Sequence, residues 1–218
     1  MILFIHPYNK HKYINILNES FRLRKRIFVD KLGWDLKCQD NMEIDQYDTE
    51  AAHYLIYLDE HKQVKGCMRL IPTVSKNLTQ DSFAKYVPAQ ILKRDPHIWE
   101  SSRFCLETPV GLISSRNSIR EGTYEIYAAM IEFCLENEVN KLIFVASKPI
   151  ERLLSKIGLQ YQKLSPDFKT DDGKAFIGEI KSNYDQFISL VYDGELNPFY
   201  QLSSSKDNNL LTKERIYA

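Results

Sequence analysis

Neither sign of charge is in excess, because 29 lysines and arginines stand against 29 aspartates and glutamates. Without a global field, nucleic acid or an anionic membrane would have to be met by a local patch, and neither partner is expected. No apolar run approaches the length of a membrane span, and the opening MILFIHPYNKHKYINIL lacks the basic leader and long apolar core of a secretory signal. No CxxC pair occurs among Cys38, Cys67, Cys105 and Cys134. Three of the four sit within apolar runs, which argues for buried thiols rather than a zinc site or disulfides and fits a reducing cytoplasm. GxGxxG, a GK[ST] loop and G-x-S-x-G are all missing. Phosphate-loop nucleotide binding and a serine-nucleophile elbow are therefore disfavoured.

What is present suits one domain spanning 1–218, with a polar extension from about 197 where SSSKDNN follows. A chain of 218 residues buries roughly 70% of its extended surface, and a separate cofactor domain is hard to fit. Thirteen tyrosines and eleven phenylalanines suit a sheet core or a pocket for an apolar chain.

Periodicity predicts a helix over 12–32, with Ile14, Leu17, Phe21, Arg24 and Phe28 at spacings of three and four and Gly33 ending it. A polar, acidic segment runs to about Glu50. The hairpin AAHYLIYLD and QVKGCMRLIP follows, closed by Pro72. The connection 73–98 holds a short helix near Asp81 to Tyr86. HIWESSRFCLE reads as a strand, 118–139 as a long helix, KLIFVAS as a buried strand, and Pro149 to Ile157 as a helix capped by Gly158. LQYQKLS and KAFIGEI make another strand pair, and a last helix covers Asn183 to Tyr192. This order predicts an α/β fold with a mixed sheet and helices on both faces, not a Rossmann alternation.

Charges interrupt that pattern where they are costly. Arg24 lies on the apolar stripe of the first helix, whereas Arg22, Lys25 and Arg26 suit a solvated face. On such a stripe an arginine either snorkels outward or is held against carboxylates. Glu43, Asp45 and Asp48 follow within MEIDQYD. They read either as surface-loop carboxylates or as a site for an amine or sulfonium cation, kept ionised by arginines. Arg69 breaks GCMRLIP, and Glu100 and Arg103 break IWESSRFCL. Charges in a covered strand are costly unless paired, and Glu100 fits a general base. His53 in AAHYLIYL suits a structural place, and D-x-x-D lacks the calcium-loop pattern, so no metal is expected. Without a nucleophile motif, direct transfer between two bound substrates is easier to support than a covalent intermediate.

Taken in order, these residues resemble the acyl-homoserine-lactone synthase family over the run from Leu23 to Leu106. Arg24, Phe28 and Trp34 match its N-terminal signature and MEIDQYD its acidic one. GCMRLIPT supplies Arg69, and WESSRF supplies Glu100 and Arg103. The stretch from Asn117 to Gly158 is similar more loosely. The resemblance implies an N-acetyltransferase-like three-layer fold, whose twisted mixed sheet splays centrally to admit an acyl chain, with helices on both faces. It implies an acyl thioester on acyl carrier protein as donor and the α-amine of S-adenosylmethionine as acceptor. Lactonisation then releases methylthioadenosine and an N-acyl-homoserine lactone quorum-sensing signal. S-adenosylmethionine is thus a consumed substrate, and no cofactor is required.

Under this resemblance Glu100 is the base, and Glu43, Arg69 and Arg103 complete the catalytic set. Arg24, Phe28, Trp34, Asp45 and Asp48 hold S-adenosylmethionine. Met130, Phe133, Val145, Ala146, Ser147 and Leu153 line the acyl pocket, although most read equally well as core. Lys148, Arg152 and Lys156 recur at spacing four on one helix and would dock the acidic carrier, although they suit a solvated face as well. An alternative is an N-acyltransferase using acyl-CoA and another amine; against it, TPVGLISSRNSIREG lacks the closely spaced glycines of a pyrophosphate loop. A catalytically silent binding protein would be expected to lose Glu100 or Arg69. Acyl-chain length is unreadable, because one methylene is worth only about 1–3 kcal/mol.

Overall fold

In a computed structural model, residues 1–107, 114–170 and 173–196 are described. The segment TPVGLI at 108–113 and the extension from 197 lie outside the described residues, so the expected missing glycine loop and polar tail are not addressed by it.

The chain opens on β1 (Ile2–Ile5), which the sequence reading did not anticipate. Helix α1 (Ile14–Arg24) continues directly into a π-helical segment, Lys25–Lys31, ended by Gly33 at φ +74°. The predicted helix over 12–32 is thus present but wound in two ways. Wide turns of this kind occur frequently at functional sites. Within the polar segment lies a small hairpin, β2 (Cys38–Gln39) and β3 (Met42–Glu43), turning through Asp40 and Asn41 at φ +52° and +62°. Two positive φ values match the twist of a tight hairpin, and Asp and Asn tolerate them.

The expected hairpin is β4 (His53–Leu58) with β5 (Val64–Pro72). In the connection, α2 (Leu78–Asp81) starts earlier than predicted, because the Asn77 side chain caps it by accepting from the Gln80 amide. A 3-10 turn at Ala84–Tyr86 and α3 (Ala89–Leu92) follow. Then come β6 (Ile98–Leu106), α4 (Ser114–Glu136), β7 (Lys141–Ser147), α5 (Lys148–Lys156), β8 (Gln162–Lys163), β9 (Phe168–Thr170), β10 (Gly173–Lys181) and α6 (Tyr184–Asp193). Among the described residues, no helix is long and apolar enough to cross a membrane.

One sheet runs in the order β1-β4-β5-β6-β7-β10-β8, with β9 also on β10. All its pairs are antiparallel except β6 with β7, whose parallel connection carries α4. Strand alternation divides the core. On one face Leu55, Met68, Phe144 and Phe176 pack with α4 and α6 residues such as Tyr127, Met130, Phe187 and Leu190. On the other, Tyr54, Cys67 and Ile71 pack with Leu17, Phe21 and Phe28, while Ile143 and Ile177 meet Val87 and Ile91. The three-layer α/β expectation therefore holds. Cys67, Cys105 and Cys134 are buried free thiols and Cys38 is exposed.

Gly178 faces Phe144 across β10 and β7, and a Cβ there would lie 2.5 Å from Phe144 Cζ. Phe144 is buried and its ring packs edge-on against Tyr161 and Phe176. Gly178→Ala is therefore expected to destabilise the fold by about 1–3 kcal/mol, the usual cost of overpacking, measurable as a lower urea midpoint.

Candidate active site

Six charges, from α1, β3, β5, β6 and the connection between β3 and β4, close into one ring. Arg24, on α1, donates Nε to Glu43 Oε2 at 2.5 Å and both Nη atoms to Asp48 at 2.8 Å. Arg69, on β5, reaches Asp48 Oδ1 at 2.9 Å and Asp45 at 2.6 and 3.1 Å. Arg103, on β6, meets Asp45 at 2.7 Å and Glu43 at 3.1 Å. Each guanidinium thus touches two carboxylates, each carboxylate touches two guanidiniums, and the sum is neutral. Tyr54 Oη donates to Asp48 at 3.0 Å and the Asp45 amide donates to Asp48 at 2.8 Å. Ser102 Oγ accepts from Arg69 Nε at 3.2 Å.

Ions taken out of water cost several kcal/mol each unless paired with good geometry, which this closed arrangement supplies. Burial alone would push the Arg24 guanidinium down, but hydrogen bonds and charge from Asp48 and Glu43 override it and hold it well up. Burial likewise works against the Asp48 carboxylate, yet Arg24 hydrogen bonds and the Arg69 charge hold its pKa well below the usual range. Arg24 and Asp48 are thus held ionised by each other and by their ring neighbours. Four of the side chains are at most 1% exposed, whereas Arg103 is 9% and Asp45 17% exposed. The ring meets solvent chiefly at that one oppositely charged edge.

Backbone distortion puts Arg103 there. Strands β5 and β6 pair at Arg69↔Ser102 and again at Cys67↔Cys105, so β6 holds one residue more than its partner, and Arg103 adopts φ +54°. Strict alternation would send Ser102 and Arg103 to opposite faces. The bulge re-aims Arg103 onto the face where Ser102 meets Arg69. Phe28 and Trp34 stack at 4.9 Å with ring planes 9° apart, and Arg103 Cζ lies 5.8 Å from the Phe28 centroid. An aromatic pair therefore adjoins the exposed edge.

Glu100 occupies the last rung where β6 and β7 pair, opposite Ile143. Beyond it β6 continues to Leu106 against β5, and β7 to Ser147 against β10. The sheet opens as a wedge with Glu100 at its apex. Glu100 is 0% exposed, and its Oε2 accepts from the Thr79 amide of α2 at 2.5 Å. It shares a strand face with Ser102, two residues and about 7 Å along, which links it to the ring. A small zwitterion would meet Asp45 with its cation and Arg103 with its carboxylate, beside an apolar slot.

The other predicted residues separate. Met130, Phe133, Ala146 and Leu153 belong to the α4 face of the sheet. Val145 packs on the opposite face and pairs with Ile177 there, while Ser147 pairs with Ala175. The predicted acyl-pocket residues therefore lie on both faces of the sheet, a consequence of the two-residue period. Lys148 is engaged by Glu151 at 2.8 Å and Asp167 at 2.6 Å, whereas Arg152 and Lys156 are exposed. His53 is stacked among Phe4, Trp99 and Phe133, and burial pushes its imidazole pKa down to about 4. It is neutral and structural. Sequence reasoning passed over Tyr54, Ser102 and Thr79. For the first two, alternation from Arg69 and its strand partners was a usable signal, whereas nothing in 73–98 marked Thr79.

The family model described as autoinducer synthase matches residues 9–189. The chain is 34% identical over 154 residues to the acyl-homoserine-lactone synthase of Aliivibrio fischeri strain ES114, covering 68% of this chain and 78% of that protein. It is similar to BjaI, described as a CoA-dependent acyl-homoserine lactone synthase, with 25% identity and coverage of 90% of each chain. The TM-score is 0.78 for BjaI with MTA and 0.76 for BjaI with SAM and isopentyl-CoA. A putative N-acetyltransferase from Lactobacillus plantarum, 14% identical, covers 84% of this chain and 98% of that one at a TM-score of 0.56, a likeness of fold alone.

Proposed function

Because the chain belongs to the autoinducer synthase family, whose acyl-homoserine-lactone synthases are acyltransferases, we propose that it transfers an acyl group from acyl carrier protein to the α-amine of S-adenosylmethionine. Lactonisation then yields an N-acyl-homoserine lactone and methylthioadenosine. The observation that carries this reading is the placement of the Asp45–Arg103 edge on the same sheet face as Glu100, at the apex of the wedge.

The methionyl carboxylate meets Arg103, the sulfonium charge meets Asp45, and Phe28 with Trp34 closes over the sulfonium. Arg24, Glu43, Arg69 and Asp48 hold that edge rigid rather than touch substrate. The acyl chain enters the wedge, bordered on one face by Ala146 and Met130 and on the other by Val145. Glu100 takes the proton that the amine loses on attacking the thioester carbon. Backbone groups freed from the ladder at the Arg103 bulge suit the developing oxyanion. Substrates of this kind place the protein in the cytoplasm as one catalytic domain, with S-adenosylmethionine consumed and no cofactor.

Purified protein incubated with S-adenosylmethionine and a panel of acyl-carrier-protein thioesters is expected to release methylthioadenosine and lactone, read by mass spectrometry; absence of both with every donor overturns the reading. Acyl-CoA as donor is the second reading, favoured by the likeness to BjaI. The two separate on α5. The Arg152→Glu, Lys156→Glu double variant is expected to raise KM for the carrier thioester several-fold, in a salt-dependent way, and to leave KM for an acyl-CoA unchanged. Equal effects on both donors would remove α5 as the docking face.

A further inference from the structure

Past the rung that pairs Glu100 with Ile143, the first β7 side chain is Phe144, on the α4 face of the sheet, with Ala146 two residues further along the same face. Its ring leans away from β6. Phe144 and Gly178 are direct partners across β7 and β10, and a Cβ on Gly178 would lie 2.5 Å from Phe144 Cζ and 3.0 Å from both Cε atoms. The ring therefore rests over the β10 backbone, where Phe176 at 6.0 Å and Tyr161 at 6.2 Å meet it edge-on. On the β6 side of the wedge, Phe104 instead pairs with Tyr127 of α4 at 5.1 Å. Among the described residues no ring contact joins these two aromatic groups. Gly178 does not have a positive φ, so its backbone conformation does not call for glycine. Glycine inside a strand costs stability and marks a close approach, which here is the approach of the Phe144 ring.

We propose that Gly178, a β10 residue outside the wedge, sets the length of acyl chain that the wedge accepts, by giving the Phe144 ring a seat over β10. The inference rests on the reading that the acyl chain enters the wedge. With the ring seated on β10, the α4 side of the wedge is bounded on β7 by the small Ala146 and on β6 by Phe104. A methyl group at position 178 takes the seat. Phe176 and Tyr161 close the far side of the ring, so the way left to it is a turn toward β6. Side chains occupy discrete staggered rotamers, and the ring accordingly changes place in one step rather than drifting. Space that it takes in the wedge is space denied to the acyl chain, and a long chain loses more contacts than a short one. Gly178 thus acts on the donor through Phe144 without touching it.

In the full chain, butanoyl to dodecanoyl thioesters of acyl carrier protein, and in parallel of CoA, are mixed to compete for one enzyme preparation. The lactone products then give the relative kcat/KM of each donor, whatever fraction of the protein is folded. Gly178→Ala is expected to lower the ratio of the longest accepted chain to butanoyl at least ~10-fold, the lower end of what one methylene is worth in an apolar pocket. Adding Phe144→Leu removes the Cζ and Cε atoms that meet the new methyl and is expected to restore the ratio. Phe144→Leu alone is expected to stay close to wild type, because a ring seated over β10 takes no part of the wedge. An unchanged ratio in Gly178→Ala overturns the proposal, as does a double variant that keeps the ratio of the single one. A raised ratio in Phe144→Leu alone also overturns it, and this variant decides the matter if Gly178→Ala does not fold. If wild type releases no methylthioadenosine from any donor, the broader functional reading fails and this inference falls with it. Normal wild-type turnover with an unshifted ratio in Gly178→Ala overturns this inference alone.

Discussion

Glu100→Gln is expected to lower turnover by about 10²- to 10⁴-fold, the range supplied by a positioned general base, while S-adenosylmethionine affinity stays near wild type. Glutamine keeps the side-chain length and an oxygen for the Thr79 amide, so the packing of α2 over the wedge is retained. What is lost is a group able to hold the amine proton. Methylthioadenosine release at saturating substrates measures the first quantity and calorimetric titration with S-adenosylmethionine the second. Comparable losses in both would make Glu100 a binding residue and return the base to another group.

The other large effect is on stability. Asp48 is shared by Arg24 and Arg69 and accepts from Tyr54 and the Asp45 amide. Asp48→Asn leaves two buried guanidiniums with one carboxylate fewer, and breaking a buried ion pair in this way costs about 3–5 kcal/mol. Total stabilities of about 5–15 kcal/mol make that a large fraction, so the variant is expected to unfold at a much lower urea concentration. Because the folded pKa of Asp48 is depressed, its contribution is fully present above the unfolded value near 4 and is lost only as pH falls through the folded value. Wild type is therefore expected to keep this contribution at pH 4, and the stability gap to Asp48→Asn to close on further acidification. A gap that is equal at all pH values, measured by urea titration, would show that the ring contributes no charge-dependent stability.

Much of the sheet was legible because its strands repeat every two residues and end on turn residues. KLIFVAS was read with its observed bounds, and the β4–β5 hairpin followed from apolar runs and Pro72. The charged positions were legible one at a time, as costly interruptions, but not their mutual pairing. Residues 24, 43, 69 and 103 meet only through tertiary contacts, and neither period 2 nor period 3.6 carries that information. The Arg103 bulge was hidden as well, since one extra residue in a strand leaves no compositional mark. Thr79 lay in a connection without periodicity, and its cap, Asn77, is ordinary among polar neighbours. The acyl-pocket reading named both Val145 and Ala146, and adjacent strand residues such as these face opposite ways.

A linear chain of ion pairs has two ends, and an end residue can change with the loss of a single contact. The ring formed by Arg24, Glu43, Arg103, Asp45, Arg69 and Asp48 has no end. Neutralising any one member strands two neighbours of like sign, each left with one partner, so the balance can be restored only by removing an opposite charge as well. Substitution at this site therefore has a parity: charges can leave in oppositely signed pairs, and the ring then opens into a chain.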